Sequence, residues 1–375
     1  MARAFRNART MMDVKFATTW EASCGVAGYS RSLVAELEKH ARIEVVSLDP
    51  GSVTSPASLA ARLNQGDVVH IQHQYPFFGG MALHRNWFNR VLGRLKRPPV
   101  VTVHELDLGD SDSPPMRAYK RWFNKRLFAA RQIGRIVVHT SEYRDRLTGL
   151  GIEPSRIRVI PMWVPSITQS DVSPDAAKSE LGLAGKKVVT IFGFVVRRKG
   201  YDLALEALRR WPEDVTLLIA GGPHPGDRTG FFDTLKDRIA AEGLSARVVI
   251  TGYLPEDRVP LVMAAADVIA APFTMMSSSW SMMHAIAYRK PIVASDLPPM
   301  REMNERTPCL TLFNPGDSGD FAAKVIELLK DGDEMRRAVA AVDSYAQTWT
   351  AARAAADTMA AYREVQSTKT ETEQP

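Results

Sequence analysis

The stretch "APFTMMSSSWSMMHAIAYRKPIVASD", residues 271–296, decides how the chain folds. It opens at the end of an apolar run, passes through three serines, continues with apolar residues at helical spacing and closes on a second apolar run. Parallel strands that are buried on both faces are apolar along their length, so this order predicts a strand, a helix and a parallel strand. No carboxylate occurs between Asp267 and Asp296. Either chemistry at this turn proceeds without an acidic side chain, or the chain has lost that chemistry.

The same alternation of strand-like and helical runs fills residues 14–162 and restarts at residue 187. It predicts two doubly wound α/β domains in tandem. A polar stretch rich in proline and serine, residues 164–180, predicts a linker between them. We therefore place an N-terminal domain at residues 1–165, a second domain at residues 180–344, and a disordered tail at residues 366–375.

Composition and charge exclude several classes of protein. The 375 residues contain two cysteines, too few for a disulfide scaffold, and no apolar run approaches the length of a spanning helix. We predict a cytoplasmic protein, acting at the inner face of the cytoplasmic membrane. Residues 1–165 carry 24 Lys or Arg and 14 Asp or Glu, a net charge of +10, whereas residues 166–375 carry 24 and 28, a net charge of −4. The basic half predicts that the first domain meets an anionic surface.

Four segments of the second half carry a resemblance to a known family. They are "FGFVVRRKGYDLALEAL" (192–208), "LLIAGGPHPGD" (217–227), "VVITGYLPEDRVPLVMAAADVIAAPF" (248–273) and "KPIVASDLPPMRE" (290–302). In this order and spacing they resemble the C-terminal domain of the retaining glycosyltransferases of family 4, which have the GT-B fold. The first half is similar more weakly, through "GVAGYSRSL", "DVVHIQHQY" and "VVTVHEL".

The resemblance implies two facing Rossmann-like domains with a deep interdomain cleft, and a C-terminal helix at residues 345–365 that packs back on the first domain. It implies a metal-independent retaining hexosyltransferase that moves a sugar from a GDP- or UDP-sugar to a saccharide or lipid-linked acceptor in bacterial polysaccharide or glycan biosynthesis. The nucleotide-sugar is then a co-substrate, and neither a cofactor nor a metal is expected. No nucleic-acid-binding motif accompanies the basic residues, so we expect no nucleic-acid partner.

A departing diphosphate gains negative charge, so fixed positive charge beside it is the main catalytic requirement. Lys199 and Arg197 follow a predicted strand at its carboxyl end, where such folds bind ligands. Lys199 with Gly200 matches the family's Lys-Gly pair. Where the family commonly has an arginine, this chain has Phe194, and we predict that Arg197 supplies the missing charge. Solvated cations at a helix start are the alternative, which the helix dipole disfavours.

The serine tract is the second predicted phosphate site. Ser277, Ser278 and Ser279 precede a helix, whose N-terminus binds phosphate through unpaired N–H groups. The alternative is a simple N-cap. The family's two glutamates around this turn correspond to Met276 and His284. Met276 cannot act as the first, whereas His284 is predicted to bond a ribose hydroxyl.

Further residues follow from the resemblance, each with an ordinary loop or core position as its alternative. In the first domain, His104 is predicted to contact the sugar or the acceptor hydroxyl, and His73 with Tyr75 to frame the acceptor. The remaining predicted donor-binding residues are Gly25, Gly28, Phe194, Gly222, Tyr253, Leu254 and Glu302.

Two predicted helices, residues 84–97 and 116–131, mix bulky apolar and basic side chains. Such helices can rest on anionic lipid, which predicts a peripheral membrane contact; packing on the domain core is the alternative. "GDSD" (109–112) contains the Asp-x-Asp of a different glycosyltransferase architecture, and here it predicts a solvated loop.

Two other functions remain open from the sequence. A catalytically degenerate partner subunit would bind nucleotide-sugar without turnover, and Phe194 and Met276, at positions that are usually charged, favour it. A sugar-nucleotide epimerase is disfavoured by the Lys-Gly loop and the order of segments in the second half.

Overall fold

The computed structural model describes residues 11–22, 24–167, 171–224, 227–275, 279–330 and 332–372, with side chains as far as residue 367. These residues form two compact units. Unit 1 contains the chain up to Met162 together with the segment from Ala351 onward, and unit 2 contains Trp163–Thr350. Each unit is built on one six-stranded sheet.

The sheet of unit 1 is entirely parallel, with the order β2-β1-β3-β4-β5-β6. Its β3 and β4 are buried at every position, as parallel strands covered on both faces require. The strands are β1 (Asp13–Thr18), β2 (Arg42–Ser47), β3 (Val68–His73), β4 (Val100–Val103), β5 (Arg135–Val138) and β6 (Ile157–Val159).

Within the described residues five helices connect these strands, and the apolar sides of the last four join the strand residues in one core. Local capping explains where several begin; Ser55, for example, accepts the amide of Ser58 ahead of a helix that starts with a proline. The helices are α1 (Gly25–Leu37), α2 (Pro56–Leu63), α3 (Phe88–Leu92), α4 (Pro114–Phe128) and α5 (Ser141–Thr148).

The sheet of unit 2 is also parallel, with the order β12-β11-β10-β7-β8-β9. The strand order reverses between β7 and β10, and the carboxyl ends of strands at such a switch point are where doubly wound folds bind ligands. The strands are β7 (Lys187–Phe192), β8 (Val215–Ala220), β9 (Val248–Ile250), β10 (Val268–Ala271), β11 (Ile292–Ser295) and β12 (Thr311–Phe313).

The described residues of unit 2 also form eight α-helices. They are α6 (Pro174–Glu180), α7 (Tyr201–Leu208), α8 (Phe231–Ala241), α9 (Val259–Ala265), α10 (Trp280–Ala287), α11 (Pro298–Arg306), α12 (Ser318–Leu328) and α13 (Asp333–Thr348). The fold class predicted from the sequence, α/β with two doubly wound units, is thereby confirmed.

The unit boundaries differ from those expected. Unit 2 begins at Trp163, and the stretch taken for a linker contains α6, which Ser173 caps and which packs on α9. The last helix, α14 (Ala351–Thr372), packs on α1 in unit 1. It continues past residue 366, where we expected a disordered tail.

The first and last residues of unit 2 lie side by side. The Val164 amide donates to the Trp349 carbonyl at 2.8 Å, and Val164 forms a parallel bridge with Thr350. An isolated β-bridge therefore joins the start of unit 2 to its end.

Candidate functional site

Lys199 lies at the switch point of unit 2, in the loop that follows β7. The loop ends in a 3-10 turn, Arg197–Lys199, and then in Gly200 with a φ of +74°. A Cβ on Gly200 would lie 1.7 Å from the Pro272 carbonyl oxygen, so only glycine fits here. The Arg198 carbonyl accepts the Thr274 amide at 2.9 Å, which ties this loop to the loop after β10.

The Lys199 ammonium is buried, and its contacts among the described residues are with neutral groups. It donates to the Phe192 carbonyl, lies 3.4 Å from Ser281 Oγ, and sits 5.7 Å from the centre of the Phe273 ring. Burial, and then repulsion by Arg198, lower the pKa of Lys199 to about 7. Within the described residues no carboxylate acts on it. A buried cation without a carboxylate partner is suited to receive an anionic ligand.

The N-terminus of α10 lies beside this ammonium. Ser279 caps the helix by accepting the Met282 amide, and its hydroxyl is 3.0 Å from that of Ser281. Ser281 therefore joins Lys199 to the cap. The predictions for Met276, Ser277 and Ser278 concern residues that lie outside the described part of the chain. Ser279, the residue of the serine tract that the structure describes, is linked to Lys199 through Ser281, as a shared phosphate site requires.

Arg197 does not join Lys199. Its exposed guanidinium stacks 4.7 Å from the centre of the Phe231 ring and lies 3.9 Å from Asp202. The expectation that Arg197 replaces the charge missing at Phe194 finds no support in these contacts. Phe194 itself packs its ring against His224 at 4.8 Å.

The backbone comes unusually close at the ends of β7, β8 and β9. A Cβ on Gly221 would lie 2.2 Å from the Gly193 carbonyl oxygen, and one on Gly222 would lie 2.7 Å from the Tyr253 amide nitrogen. Gly222 thus permits a close approach of two loops, while the Tyr253 side chain is 59% exposed. Leu254 packs against a small apolar cluster. These loops put backbone groups and an exposed aromatic ring at the same sheet edge as Lys199.

His284 lies on α10, with its ring 5.8 Å from those of both Phe192 and Tyr288. Burial lowers its pKa, which favours a neutral ring able to donate one hydrogen bond and accept another. Phe192 is also the residue whose carbonyl holds Lys199, so His284 borders the same site.

Glu302 differs from the prediction. Its carboxylate forms an ion pair with Arg306, one turn later on α11, and the Arg306 guanidinium lies 5.9 Å from the centre of the Trp349 ring. This carboxylate is engaged within its own helix rather than presented to a nucleotide hydroxyl.

In unit 1, His104 follows β4 and is 8% exposed. Its Nε2 lies 2.7 Å from Gln72 Oε1, and its ring packs on Tyr29 at 4.7 Å and on His139 at 5.3 Å. Burial, followed by the nearby histidines, lowers the pKa of His104 far below its usual range. The residue is therefore neutral, and it acts as a hydrogen-bonding group and not as a cation.

The prediction that His73 and Tyr75 frame the acceptor is corrected by their burial. His73 is completely buried; its ring stacks on Phe78 and meets the edges of Phe88 and Phe128. Neither of its ring nitrogens has a partner among the described residues. The Tyr75 hydroxyl donates to Asn124 Oδ1 at 2.6 Å and accepts the Asp107 amide at 3.1 Å, so it is engaged internally.

The loop between β1 and α1 is fastened by Asp49. The Asp49 carboxylate accepts the amides of Trp20 and Glu21, both at 3.0 Å, and the hydroxyls of Thr19 and Ser47. Gly25 then opens α1, and the Gly28 amide donates to the Cys24 carbonyl in its first turn. The two glycines thus stand at a helix start on the carboxyl side of β1.

The two basic segments behave differently. Residues 84–97 contain only the five-residue helix α3, and its Phe88, Val91 and Leu92 are buried in the core, so this apolar stripe is not available to lipid. On α4, by contrast, Trp122 and Met116 are 47% and 46% exposed beside exposed basic residues. None of the described helices combines the length and apolarity needed to cross a bilayer.

The Asp-x-Asp segment is held by cations of the protein. Asp110 pairs with Arg146 at 2.5 Å and Asp112 with Lys120 at 2.6 Å. Across the described parts of the chain, no group of three or more His, Cys, Asp or Glu side chains is gathered as metal ligands would be.

Sequence reasoning missed Ser281, Gln72 and Asp49. Ser281 lies two residues after the serine tract. Its place in the first turn of the predicted helix could have indicated a role beside the cap. Gln72 lies between two histidines in "HIQHQ", where alternation along a strand would have placed it on the same side as His70.

Comparisons with known proteins agree with this architecture. The family model "Glycosyltransferase Family 4" matches residues 25–166, and "Glycosyl transferases group 1" matches residues 174–343. A D-inositol 3-phosphate glycosyltransferase of Nocardia farcinica is 29% identical over 282 residues, which are 70% of this chain and 62% of that protein. The chain spans about half to three fifths of the length of the first curated relatives it matches.

Two solved structures share the fold along nearly their whole length. The HepE protein of Anabaena, in complex with UDP and glucose, has a TM-score of 0.66 at 20% identity and covers 96% of this chain and 99% of its own. Sucrose-phosphate synthase of Thermosynechococcus elongatus has a TM-score of 0.72 at 16% identity, with 95% and 100% covered.

Proposed function

The chain belongs to the family 4 glycosyltransferases, the glycosyl transferases group 1, and from this we propose that it is a metal-independent retaining hexosyltransferase. It moves a sugar from a GDP- or UDP-sugar to a saccharide or lipid-linked acceptor in bacterial polysaccharide or glycan biosynthesis. A neighbour of the same fold that was solved with UDP and glucose supports a nucleotide-sugar donor.

The observation that carries the proposal is the meeting of Lys199 with the N-terminus of α10 at the switch point of unit 2. A diphosphate seated there would face a buried ammonium and the N–H groups of a helix start. Both groups gain interaction energy as negative charge develops on the leaving phosphate, which is the condition for lowering the barrier.

The transfer step needs no protein nucleophile. The bond from the anomeric carbon to the diphosphate oxygen breaks, and its electron pair goes to that oxygen. The acceptor hydroxyl forms the new bond on the same face of the sugar, and its proton passes to the departing phosphate oxygen. Lys199 stabilises the diphosphate throughout, so an acidic side chain at the serine turn is not required for this route.

The test is a screen of the purified protein against UDP-, GDP-, TDP- and ADP-sugars by thermal shift, because a ligand bound only to the folded state raises its stability. The best donor is then incubated with candidate acceptors in EDTA, and the anomeric configuration of the product is determined by NMR. Turnover in EDTA with retained configuration is expected. Loss of turnover on chelation, or an inverted product, would contradict the proposal.

Lys290→Met provides a matched control for Lys199→Met. Lys290 is also largely buried and donates to a backbone carbonyl, that of Ala264, but it precedes β11 at the opposite edge of the sheet. Lys199→Met should abolish both the thermal shift and turnover, whereas Lys290→Met should retain both.

A second candidate is the partner subunit that binds nucleotide-sugar without turnover. The position of Arg197 favours it. The Arg197 guanidinium contacts Phe231 and Asp202, so it adds no positive charge beside Lys199. Donor binding without transfer over a broad panel of acceptors would support this reading, and any turnover that depends on Lys199 would exclude it.

For location, we propose action in the cytoplasm at the inner face of the membrane through α4. Its outward surface presents Trp122 and Met116 with exposed Arg121, Lys125 and Arg126, a combination that binds anionic lipid. The protein should sediment with vesicles containing anionic lipid and not with zwitterionic ones. Arg121→Glu with Trp122→Ala should abolish sedimentation, while Arg336→Glu on α13 should leave it unchanged.

A further inference from the structure

A line of buried polar side chains in unit 1 connects His104 to the last helix. His70, Gln72 and Tyr362 are at most 1% exposed. The Tyr362 hydroxyl lies 2.7 Å from His70 Nδ1, and His70 Nε2 lies 2.7 Å from Thr102 Oγ1 and 3.1 Å from Gln72 Nε2. Gln72 Oε1 in turn lies 2.7 Å from His104 Nε2. The line joins positions 292 residues apart in the sequence.

Both imidazoles in this line are neutral near pH 7, because burial lowers the pKa of His70 to about 3 and that of His104 well below its usual value. A neutral imidazole has one N–H donor and one bare acceptor nitrogen. The position of the His104 proton is therefore fixed by whichever end of the Gln72 amide faces it.

The Gln72 carbonyl oxygen faces His104, and a carbonyl can only accept. His104 Nε2 then carries the proton, and Nδ1 is bare. At the other end, the Gln72 amide group donates to His70 Nε2, so His70 holds its own proton on Nδ1 and donates it to the Tyr362 oxygen. One consistent set of protons runs along the whole line.

His104 Nδ1 has no hydrogen-bond partner among the described residues. It is also not one of their fully buried side-chain nitrogen and oxygen atoms that lack a partner. His104 is 8% exposed. The bare nitrogen is therefore the part of His104 that a ligand can reach, and it can only accept a hydrogen bond.

We propose that Gln72 and Tyr362 are positioning residues that hold His104 in its Nε2–H tautomer, so that Nδ1 accepts a hydrogen bond from a hydroxyl of the substrate. That the hydroxyl belongs to a sugar rests on the proposed function; the tautomer does not.

Tyr362→Phe tests the line at its far end. Without the tyrosine oxygen, the His70 Nδ1–H is left buried and unpaired, a state that is costly. His70 then moves its proton to Nε2, which can donate to Thr102. That proton opposes the amide hydrogens of Gln72, so the amide turns and donates to His104 Nε2. His104 must then carry its proton on Nδ1.

The measurement is a long-range ¹⁵N–¹H correlation spectrum of protein labelled in histidine, with the His104 signals assigned by their loss in His104→Gln. Wild type should show Nε2 protonated and Nδ1 bare, and Tyr362→Phe should reverse this. Gln72→Glu should keep the wild-type pattern, because a carboxylate at this place still only accepts. Thr358→Val is the matched control: Thr358 is buried one turn earlier on α14 and bonds only to the Ala354 carbonyl, so its loss should leave His104 unchanged.

An Nδ1-protonated His104 in wild type, or an unchanged tautomer in Tyr362→Phe, would overturn the proposal. Folding of each variant is checked by circular dichroism, and the tautomer of His104 in wild type decides the matter if Tyr362→Phe does not fold. With the best donor and acceptor, Tyr362→Phe should lower kcat by about tenfold with little change in KM for the donor, as for a barrier raised in the chemical step. A reversed tautomer with unchanged kcat would refute the positioning role, whereas absence of turnover in wild type would refute the proposed function and leave the tautomer result standing.

Discussion

The Lys199 ammonium and the Ser281 hydroxyl, 82 residues apart in the sequence, lie 3.4 Å from each other at the switch point of unit 2. Lys199 brings charge from the loop after β7, and Ser281 belongs to the first turn of α10, whose cap it contacts. A buried ammonium and a helix N-terminus, two groups of the kind that bind phosphate, are thus adjacent, and neither is acidic.

Donor binding should weaken above pH 7. In the free protein the pKa of Lys199 is about 7, lowered by burial and by Arg198, and a bound diphosphate would raise it again. Below pH 7 the ammonium is already charged and affinity is complete. Above pH 7 each unit of pH should cost about tenfold in Kd, because binding must first take up a proton.

Calorimetric titration of the donor at pH 6.5, 7.5 and 8.5, in buffers of different ionisation enthalpy, measures both the affinity and the proton uptake. Lys199→Arg is the control, since a guanidinium stays charged and should flatten the profile. A wild-type Kd that is constant over this range would contradict the prediction.

Gly200→Ala should both destabilise unit 2 and abolish donor binding. The new Cβ meets the Pro272 carbonyl and the residue has a φ of +74°, so the loop that carries Lys199 must move. We expect a loss of about 3 kcal/mol or more in the free energy of unfolding. Gly182→Ala separates the two causes: its φ is +70° but nothing lies within 4 Å of the added carbon, so backbone strain alone should cost about 1 kcal/mol. Urea unfolding compares them, and equal losses would show that the Pro272 contact is unimportant.

Unit 1 should lose stability as the pH falls below 6.5. Burial lowers the pKa of His70 and His73 to about 3 and that of His139 to about 4, and that of His104 also falls far below its usual value. The unfolded chain binds these protons at about pH 6.5, so stability is complete above that pH and is lost towards pH 4. At pH 5 each of the four histidines should cost roughly 2 kcal/mol.

Replacing one of them tests the assignment. His73→Leu removes a ring whose two nitrogens have no partner among the described residues, so the dependence of the unfolding free energy on pH should fall by about one proton between pH 6 and pH 5. His84→Gln, a substitution at an exposed position, is the control. An unaltered slope in His73→Leu would show that His73 titrates normally in the native state.

The sequence was sufficient for the architecture because the strands are apolar along their length and the turns carry glycine, proline and serine at informative places. It also placed Lys199 correctly at a carboxyl strand end, since a residue that follows a strand in the chain lies at that end of the strand. It could not distinguish His73 from His104. Both end a strand, and only the aromatic residues from α3, α4 and the segment before them, which enclose His73, decide which of the two reaches solvent.

Contacts between side chains distant in sequence were equally out of reach. The ion pair that engages Glu302 was visible in principle from the four-residue spacing to Arg306. The stacking of Arg197 on Phe231 and the line from Tyr362 to His104 depend on which helices pack together, and periodicity does not specify this.

Asp49→Asn should loosen the loop that leads into α1. Burial alone would raise the pKa of Asp49, but hydrogen bonds from Thr19, Glu21, Ser47 and Trp20 outweigh it and bring the pKa to about 2. The NH₂ group of an asparagine at this position cannot accept a hydrogen bond, so at least one of the four donors loses its acceptor. We expect a loss of about 1–3 kcal/mol in the free energy of unfolding. Hydrogen exchange at the amides of residues 20 and 21 should accelerate more than elsewhere in unit 1.

Asp67→Asn is the control, because Asp67 is exposed at the opposite edge of the sheet and accepts a single backbone amide, that of Asp13. Uniform acceleration in both variants would show that Asp49 supports the whole unit and does not specifically hold this loop.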